Sequence, residues 1–377
     1  MSDWIYLDHG TISPPSFEAV EKMLPFLRDS WGAVESAHRL GQDLISSVDE
    51  AVSAIYEAVG SHFDNSFTFF SSGPLAIEAL FHELYFGYMR ETGKTLSFTS
   101  VVEEAPIRSM LKKLEGADCS AKMLPVDSYG RLLPEALEEA IGPRTAILSI
   151  SMANRLTGVL QPAKDLCTVC KRKGIFSHLD ISTVLGKIPF SFEEMGADFI
   201  TFEGSLLHAP RGSGGLFMRR GIDLERFPPI PSPWNMPLVA ALATAMEGLQ
   251  ARLDYMCTGV AVLRNKFEER IKREIPHAQV LFSEAERLPH ISSIAFSGCS
   301  SEALAFQLQK RGLFSTFGSK ETHYLAPILK ACGVEGSLCF SSLSFALSHE
   351  TTEEQIDRAV QMIKEVVFQL RRISNMG

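Results

Sequence analysis

The sequence predicts an α/β protein: a large, mostly parallel sheet flanked by helices, followed by a smaller α+β unit. Three observations carry this. Between about Thr95 and Leu216, short apolar runs of strand length alternate with segments of helical periodicity. Among those runs RTAILSIS is rich in small and apolar residues, and short buried strands separated by amphipathic helices mark a sheet covered on both faces. After about Pro276, strand-like and helical runs follow one another closely, which suits antiparallel strands with helices on one side.

Taken in order, TLSFTSV reads as a strand and Ala105–Leu114 as a helix. RTAILSIS is a strand, Ala163–Lys173 a helix, and GIFSHLDIS, ADFITFEGS and GGLFMRRG three further strands. Clustered prolines make Arg226–Pro237 an irregular connection. A helical pattern then runs from about Leu238 to Arg273. HISSIAFSG and SLCFSSLS read as strands, Ser301–Lys310 and Thr352–Arg371 as helices, the last opened by threonines and acidic residues. The expected division is a segment 1–14 packing on the small unit, a large domain 15–250 and a small domain 251–377.

Composition excludes several functions. The chain has 377 residues, 45% hydrophobic and 21% charged, enough for a large core and a smaller one. A formal net charge of -9 with no dense basic run argues against nucleic-acid binding, which needs clustered cations. The opening MSDWIYLDHG has neither the basic nor the apolar region of a signal peptide. The apolar stretch PLVAALATAM is too short to span a bilayer, so a cytoplasmic protein is expected. The seven cysteines are scattered and odd in number, not a disulfide framework. Cys167 and Cys170 form a CxxC, but without a second CxxC or a histidine motif they read as two small core-facing helix residues, and no metal site is expected.

In a parallel sheet ligands bind at the carboxyl ends of the strands. Chemistry is therefore expected in the loops after Phe70, Ser151, Asp180 and Phe202. The segments around those loops line up with one family. IYLDHGTISPP, AHRLGQD, FTFFSSGPLAIEAL, SISMANRLTGVLQP, HLDISTVLGKIPF, ADFITFEGSLLHAPRGSGGLF and FSSLSFALSHETTEEQID fall in order along nearly the whole chain. Together they resemble the landmarks of class V aminotransferases, and most nearly the cysteine desulfurases that supply sulfur for iron–sulfur clusters. The resemblance implies a fold-type I transferase with a seven-stranded large-domain sheet. It implies pyridoxal phosphate, held as a Schiff base on a lysine, with a carboxylate beside the pyridine nitrogen.

Asp180 matches that carboxylate. The other positions depart from the family pattern. Where relatives read Ser-x-His-Lys, this chain reads Glu203-Gly204-Ser205-Leu206, and Pro210-Arg211-Gly212 fixes the register, so the lysine position is Leu206. Glu203 stands where a hydroxyl binds the cofactor phosphate, and a carboxylate would repel that dianion. Pro74-Leu75 replaces the Ala-Thr of the phosphate loop. Glu104, preceded by Glu103, matches the ring-stacking histidine, and Thr183 the glutamine of the aspartate loop. The asparagine near the phenolic oxygen matches either Asn154 or Arg155. The substrate-binding arginine matches Cys339, and the arginine-containing loop before the long helix is shortened into Phe227–Trp234. The loop that bears the persulfide cysteine matches STFGSKETHY, with Glu321 near the nucleophile's place.

The positions expected to line the family's cofactor pocket are thus Asp180, Thr183, Asn154, Ser205, His208 and Glu104. Possible substitutes are unpromising: Lys187 belongs to a structural GKIPF segment, Lys320 would have to reach inward, and His208 lies two residues past the lysine site. The expectation is a desulfurase homologue without ordinary pyridoxal-phosphate catalysis, acting as a partner or regulator in sulfur transfer. The alternative is an active enzyme with a displaced or non-covalent cofactor. The resemblance also implies a homodimer, and as partners an iron–sulfur scaffold protein or an active desulfurase paralogue.

Overall fold

The computed structural model describes residues 4–222, 224, 234–320 and 323–374. Ile5–Tyr6 forms β1, which pairs in parallel with β11 (Leu313–Phe314). The large sheet has seven strands: β2 (Ser66–Phe70), β3 (Leu96–Ser100), β4 (Ser120–Leu124), β5 (Thr145–Ser151), β6 (Phe176–Asp180), β7 (Phe199–Glu203) and β8 (Gly214–Met218), in the order β2-β8-β7-β6-β5-β3-β4. The pairs β3/β4, β3/β5, β5/β6 and β6/β7 are parallel, while β8 runs antiparallel to both neighbours.

Burial follows position in this sheet. All seven residues of β5 are buried, which is why TAILSIS carries no polar–apolar alternation. The edge strand β4, SAKML, exposes Ser120, Lys122 and Met123, and its lysine blunts the open edge. That half-polar composition hid it in the sequence. Helix Ala163–Lys173 forms where expected, with Asp165 in its first turn, three basic residues in its last and Gly174 closing it at φ 65°.

A second core lies against a smaller antiparallel sheet of β9 (Ala278–Leu281), β10 (Ile291–Phe296) and β14 (Ser342–Ala346). Phe267, Phe296, Phe345 and Val360 fill it, joined by Ile5 and Leu7 of the N-terminal segment. The two-residue strands β12 (Gly318–Ser319) and β13 (His323–Tyr324) form a separate hairpin.

Two expectations are corrected. The long helix is interrupted: Met236–Ala251 is followed by a short turn, a wide π-type turn at Met256–Val260, and Ala261–Glu274. Within the wide turn, a Cβ on Gly259 would come within 2.2 Å of the Tyr255 ring, so the glycine admits that ring against the backbone. SLCFSSLS is not one strand, because Gly336–Cys339 is helical. The Ser341 and Ser342 hydroxyls donate to the Leu338 carbonyl at 3.3 and 2.6 Å and end the helix before β14 begins. The proline-rich residues 226–233, most of the shortened loop and Glu321 lie outside the described residues. No helix among the described residues is long and apolar enough to cross a membrane.

Candidate functional site: a charged cavity at the strand ends

β5, β6 and β7 end side by side at Ser151, Asp180 and Glu203. With the N-terminus of helix Gly73–Leu84 they surround a cavity of about 450 Å³. Thr11 and Ile12 of the N-terminal segment, Pro106 and Ile107 complete the walls, with Arg155 and Arg211 bringing positive charge. This is the strand-end position expected for ligand binding in such a sheet.

Asp180 stands at the floor. Its Oδ2 accepts a hydrogen bond from the Thr201 hydroxyl at 2.9 Å and its Oδ1 accepts from the Ser182 N–H at 3.2 Å. Because Thr201 donates to Asp180, it receives from His178 Nε2 at 2.9 Å, and His178 Nδ1 then receives from the Ser149 hydroxyl at 2.8 Å. The chain of bonds fixes His178 as the Nε2–H tautomer, and burial, lowering it to about 3, keeps it neutral. Burial and then the nearby Glu104 carboxylate push the Asp180 carboxyl up to about 6.

Glu104 is paired. Arg155 Nε and Nη2 both lie 2.5 Å from its Oε2, and the Arg155 N–H donates to Oε1 at 3.2 Å. Burial weakens the Arg155 charge, but Glu104, with Asp180 and Glu203 behind it, outweighs that effect and raises the guanidinium above its ordinary value. Glu103 turns inward and accepts from the Ser151 hydroxyl at 2.6 Å and from the Ser151 and Glu104 N–H groups at 3.1 and 2.9 Å. Burial holds its carboxyl at about 7 in spite of these donors.

Glu203 occupies the anion position at the end of helix Gly73–Leu84. Its Oε2 accepts from the Gly73 N–H at 2.7 Å, and its Oε1 accepts from the Ser205 hydroxyl and N–H at 2.8 and 3.3 Å. A free helix N-terminus attracts an anion. Here the chain's own carboxylate fills that role. Gly214 permits the approach, since a Cβ there would lie 2.7 Å from the Gly73 nitrogen.

Glu104, Asp180 and Ser205 therefore meet at the cavity, together with Glu203 and Pro74. Three expected lining residues do not reach it. Asn154 folds into its own turn: Oδ1 accepts from the Leu156 and Thr157 N–H groups, both at 3.0 Å, and Nδ2 donates to the Val102 carbonyl. Arg155 is the member of that pair in the cavity. Thr183 donates to the Ala153 carbonyl at 3.1 Å and ties two loops together. His208 points to the far side, with Nδ1 3.0 Å from the Pro14 carbonyl and its ring against His9 and His349. Leu206 is 2% exposed and does not line the cavity. Cys339 belongs to an apolar cluster with Leu325, Ile328 and Cys332 and ends a short helix rather than lying in the strand expected there. Cys167 and Cys170 are buried in the main core, and no group able to hold a metal occurs among the described residues.

The sequence reading missed Arg155 as the partner of Glu104, and Ser151 and Ser182 as donors to the carboxylates. Only the substitution of Glu104 at a family position hinted at a compensating cation.

The fold and the strand-end cavity define a class V transferase scaffold. The sequence model described as aminotransferase class-V matches residues 5–232, and the chain belongs to that family. It is similar to the cysteine desulfurase NifS of Azotobacter vinelandii, 29% identical over 98% of this chain and 94% of that one. A cysteine desulfurase of Cereibacter sphaeroides is also 29% identical, over 99% of this chain and 98% of its own length. Among solved structures, a NifS-like protein superposes with a TM-score of 0.88 at 24% identity, covering 97% of this chain and all of its own. That likeness supports the fold.

Proposed function

We propose that this chain is a cysteine desulfurase-like protein that has lost persulfide chemistry and serves as a binding partner or regulator in sulfur transfer. The observation that carries the reading is Glu203 on the Gly73 N–H, where an intramolecular carboxylate fills the helix-terminal anion position. Pyridoxal phosphate does not fit this residue set. Its phosphate would meet the Glu203 carboxylate, the Glu104–Arg155 pair stands in the cavity, and Leu206 offers no amine. No chemical step is therefore derived through that group. Both sheets are formed while the cavity's carboxylates are held by the chain's own donors, which suits a protein kept for its surface. The partners that agree with the resemblance are a second copy, an active desulfurase paralogue or an iron–sulfur scaffold protein.

Asp180 favours the second reading, an enzyme that holds the cofactor without a covalent bond, since the carboxylate remains at the cavity floor. One experiment separates the two. The purified protein is incubated with pyridoxal phosphate and cysteine, and sulfide release is measured. The same assay is repeated with a working cysteine desulfurase in the presence of equimolar chain. The proposal expects no sulfide from the chain alone and an altered rate in the mixture. Sulfide from the chain alone, lost on Asp180→Asn, supports the second reading and overturns the first.

A further inference from the structure

Five basic side chains gather outside the cavity, where the N-terminal segment, the large sheet and the small sheet meet. They are His9, Lys187, His208, His290 and His349. The His208 ring lies 5.8 Å from His9 and 4.8 Å from His349. Lys187, His208 and His290 are at most 3% exposed. His208 Nε2, His290 Nδ1 and His349 Nδ1 are buried without hydrogen-bond partners, a costly arrangement for polar atoms. Burial lowers the Lys187 ammonium to about 8.

One flanking cavity reaches His9 and the other reaches His208 and His349, but neither touches Lys187 or His290. The variable that can change there is the proton. We propose that the joint is a proton-operated latch: protonation of its histidines separates the N-terminal segment and the small sheet from the large sheet, while each keeps its own fold.

Neighbouring charges favour such opening. Arg252 faces His349 and Arg264 faces His290, adding repulsion. Glu18 acts the other way on His349, Glu247 lines the cavity beside His208 and His349, and Glu350 lines both flanking cavities. Glu268 is engaged by Arg287 at 2.6 Å and Arg264 at 3.8 Å. Burial and then Lys187 lower His9 to about 3, His208 to about 2 and His349 to about 4, and His290 falls well below its ordinary value. A group lowered in the closed state stabilises that state above its free value of about 6.5, and the benefit is lost as pH falls. Asp8 is raised to about 6 by burial and opposes the trend by releasing a proton on opening. Four histidines against one aspartate leave a net uptake of about three protons between roughly pH 6 and 4.

The latch reaches the candidate site. Ser13 N–H donates to the Ser205 carbonyl at 2.9 Å and Ser16 N–H to the His208 carbonyl at 2.8 Å, and these bonds seat the segment whose Thr11 and Ile12 wall the cavity. Opening would uncover it. The inference holds whichever reading of the cavity is right.

Hydrogen exchange with mass detection, corrected for intrinsic pH dependence, tests it on the full chain. Below about pH 6, the amides of Ser13, Ser16, Leu160 and Leu288, whose acceptors lie across the joint, should lose protection, while the β5 peptide and the amides of His9 and Leu347, bonded within the small unit, keep it. His290→Asn should reduce the pH slope of opening by about one proton. Should that variant fail to fold, Lys187→Met keeps the shape and removes the central charge. Its ammonium falls from 10.5 to about 8 on burial, so its loss should lower the opening midpoint by roughly 0.8 pH unit. Protection of the joint amides down to pH 4.5, their loss together with β5, or an unmoved midpoint in Lys187→Met would overturn the latch.

Discussion

Replacing Arg155 by Met removes the guanidinium and keeps most of the aliphatic stem. Arg155 and Glu104 side chains are 12% and 4% exposed, so this is a buried pair. An exposed pair contributes at most about 1 kcal/mol, whereas breaking a buried one costs about 3–5 kcal/mol because the remaining charge is stranded. Glu104 would be left beside Asp180 with only the Arg155 N–H bond. We expect Arg155→Met to lose about 3–5 kcal/mol in urea unfolding at pH 8, Glu104→Gln a comparable amount, and the double variant to stay within about 2 kcal/mol of wild type. The pH dependence has a definite sign. Arg155 lowers both Asp180 and Asp8, whose carboxyls already stand at about 6, so its removal raises them further. A raised carboxyl stabilises the fold at low pH and loses that contribution as pH rises. The deficit of Arg155→Met should therefore be smaller at pH 5.5 than at pH 8. A coupling energy below about 0.5 kcal/mol in this cycle, or a deficit independent of pH, would refute the self-neutralised cavity.

Three further outcomes follow from the same geometry. Glu203→Ser should free the Gly73 N–H, so that inorganic phosphate raises the melting temperature of the variant but not of the parent; equal responses would contradict the intramolecular anion. Thr201→Val strands Asp180 Oδ2 and His178 Nε2 together and should cost about 1–3 kcal/mol in urea unfolding, against which a neutral result would count. Burial raises Cys167 to about 12 and Cys170 also upward, so a thiol reagent should label the half-buried Cys257 first, and early labelling of the CxxC would contradict an inert core pair.

The architecture was largely legible because it is written in burial. β5 is buried at every position and β6 at all but its first, so neither carries a solvent-facing alternation, and the helix Ala163–Lys173 carries its own charge pattern and glycine stop. The edge strand β4 escaped because one face meets solvent. At the site, Asp180, Glu104 and Ser205 were placed by sequence register alone. Asn154 and Thr183 were not, because register fixes where a Cα lies but not which way a short polar side chain turns. Both have nearby backbone partners that satisfy them better than the cavity does. The strand expected at Cys339 failed for a different reason: a serine-rich stretch ends a helix and begins a strand within a few residues. The histidine joint was illegible, since its members come from loops spread from His9 to His349.

The central claim is that the chain's own carboxylates and arginines have closed the cofactor position. It is tested most directly by intact-protein mass measurement after incubation with excess pyridoxal phosphate and borohydride reduction. An unchanged mass, with only low substoichiometric addition spread over surface lysines, is the expected result. A single adduct per chain on one lysine would contradict it.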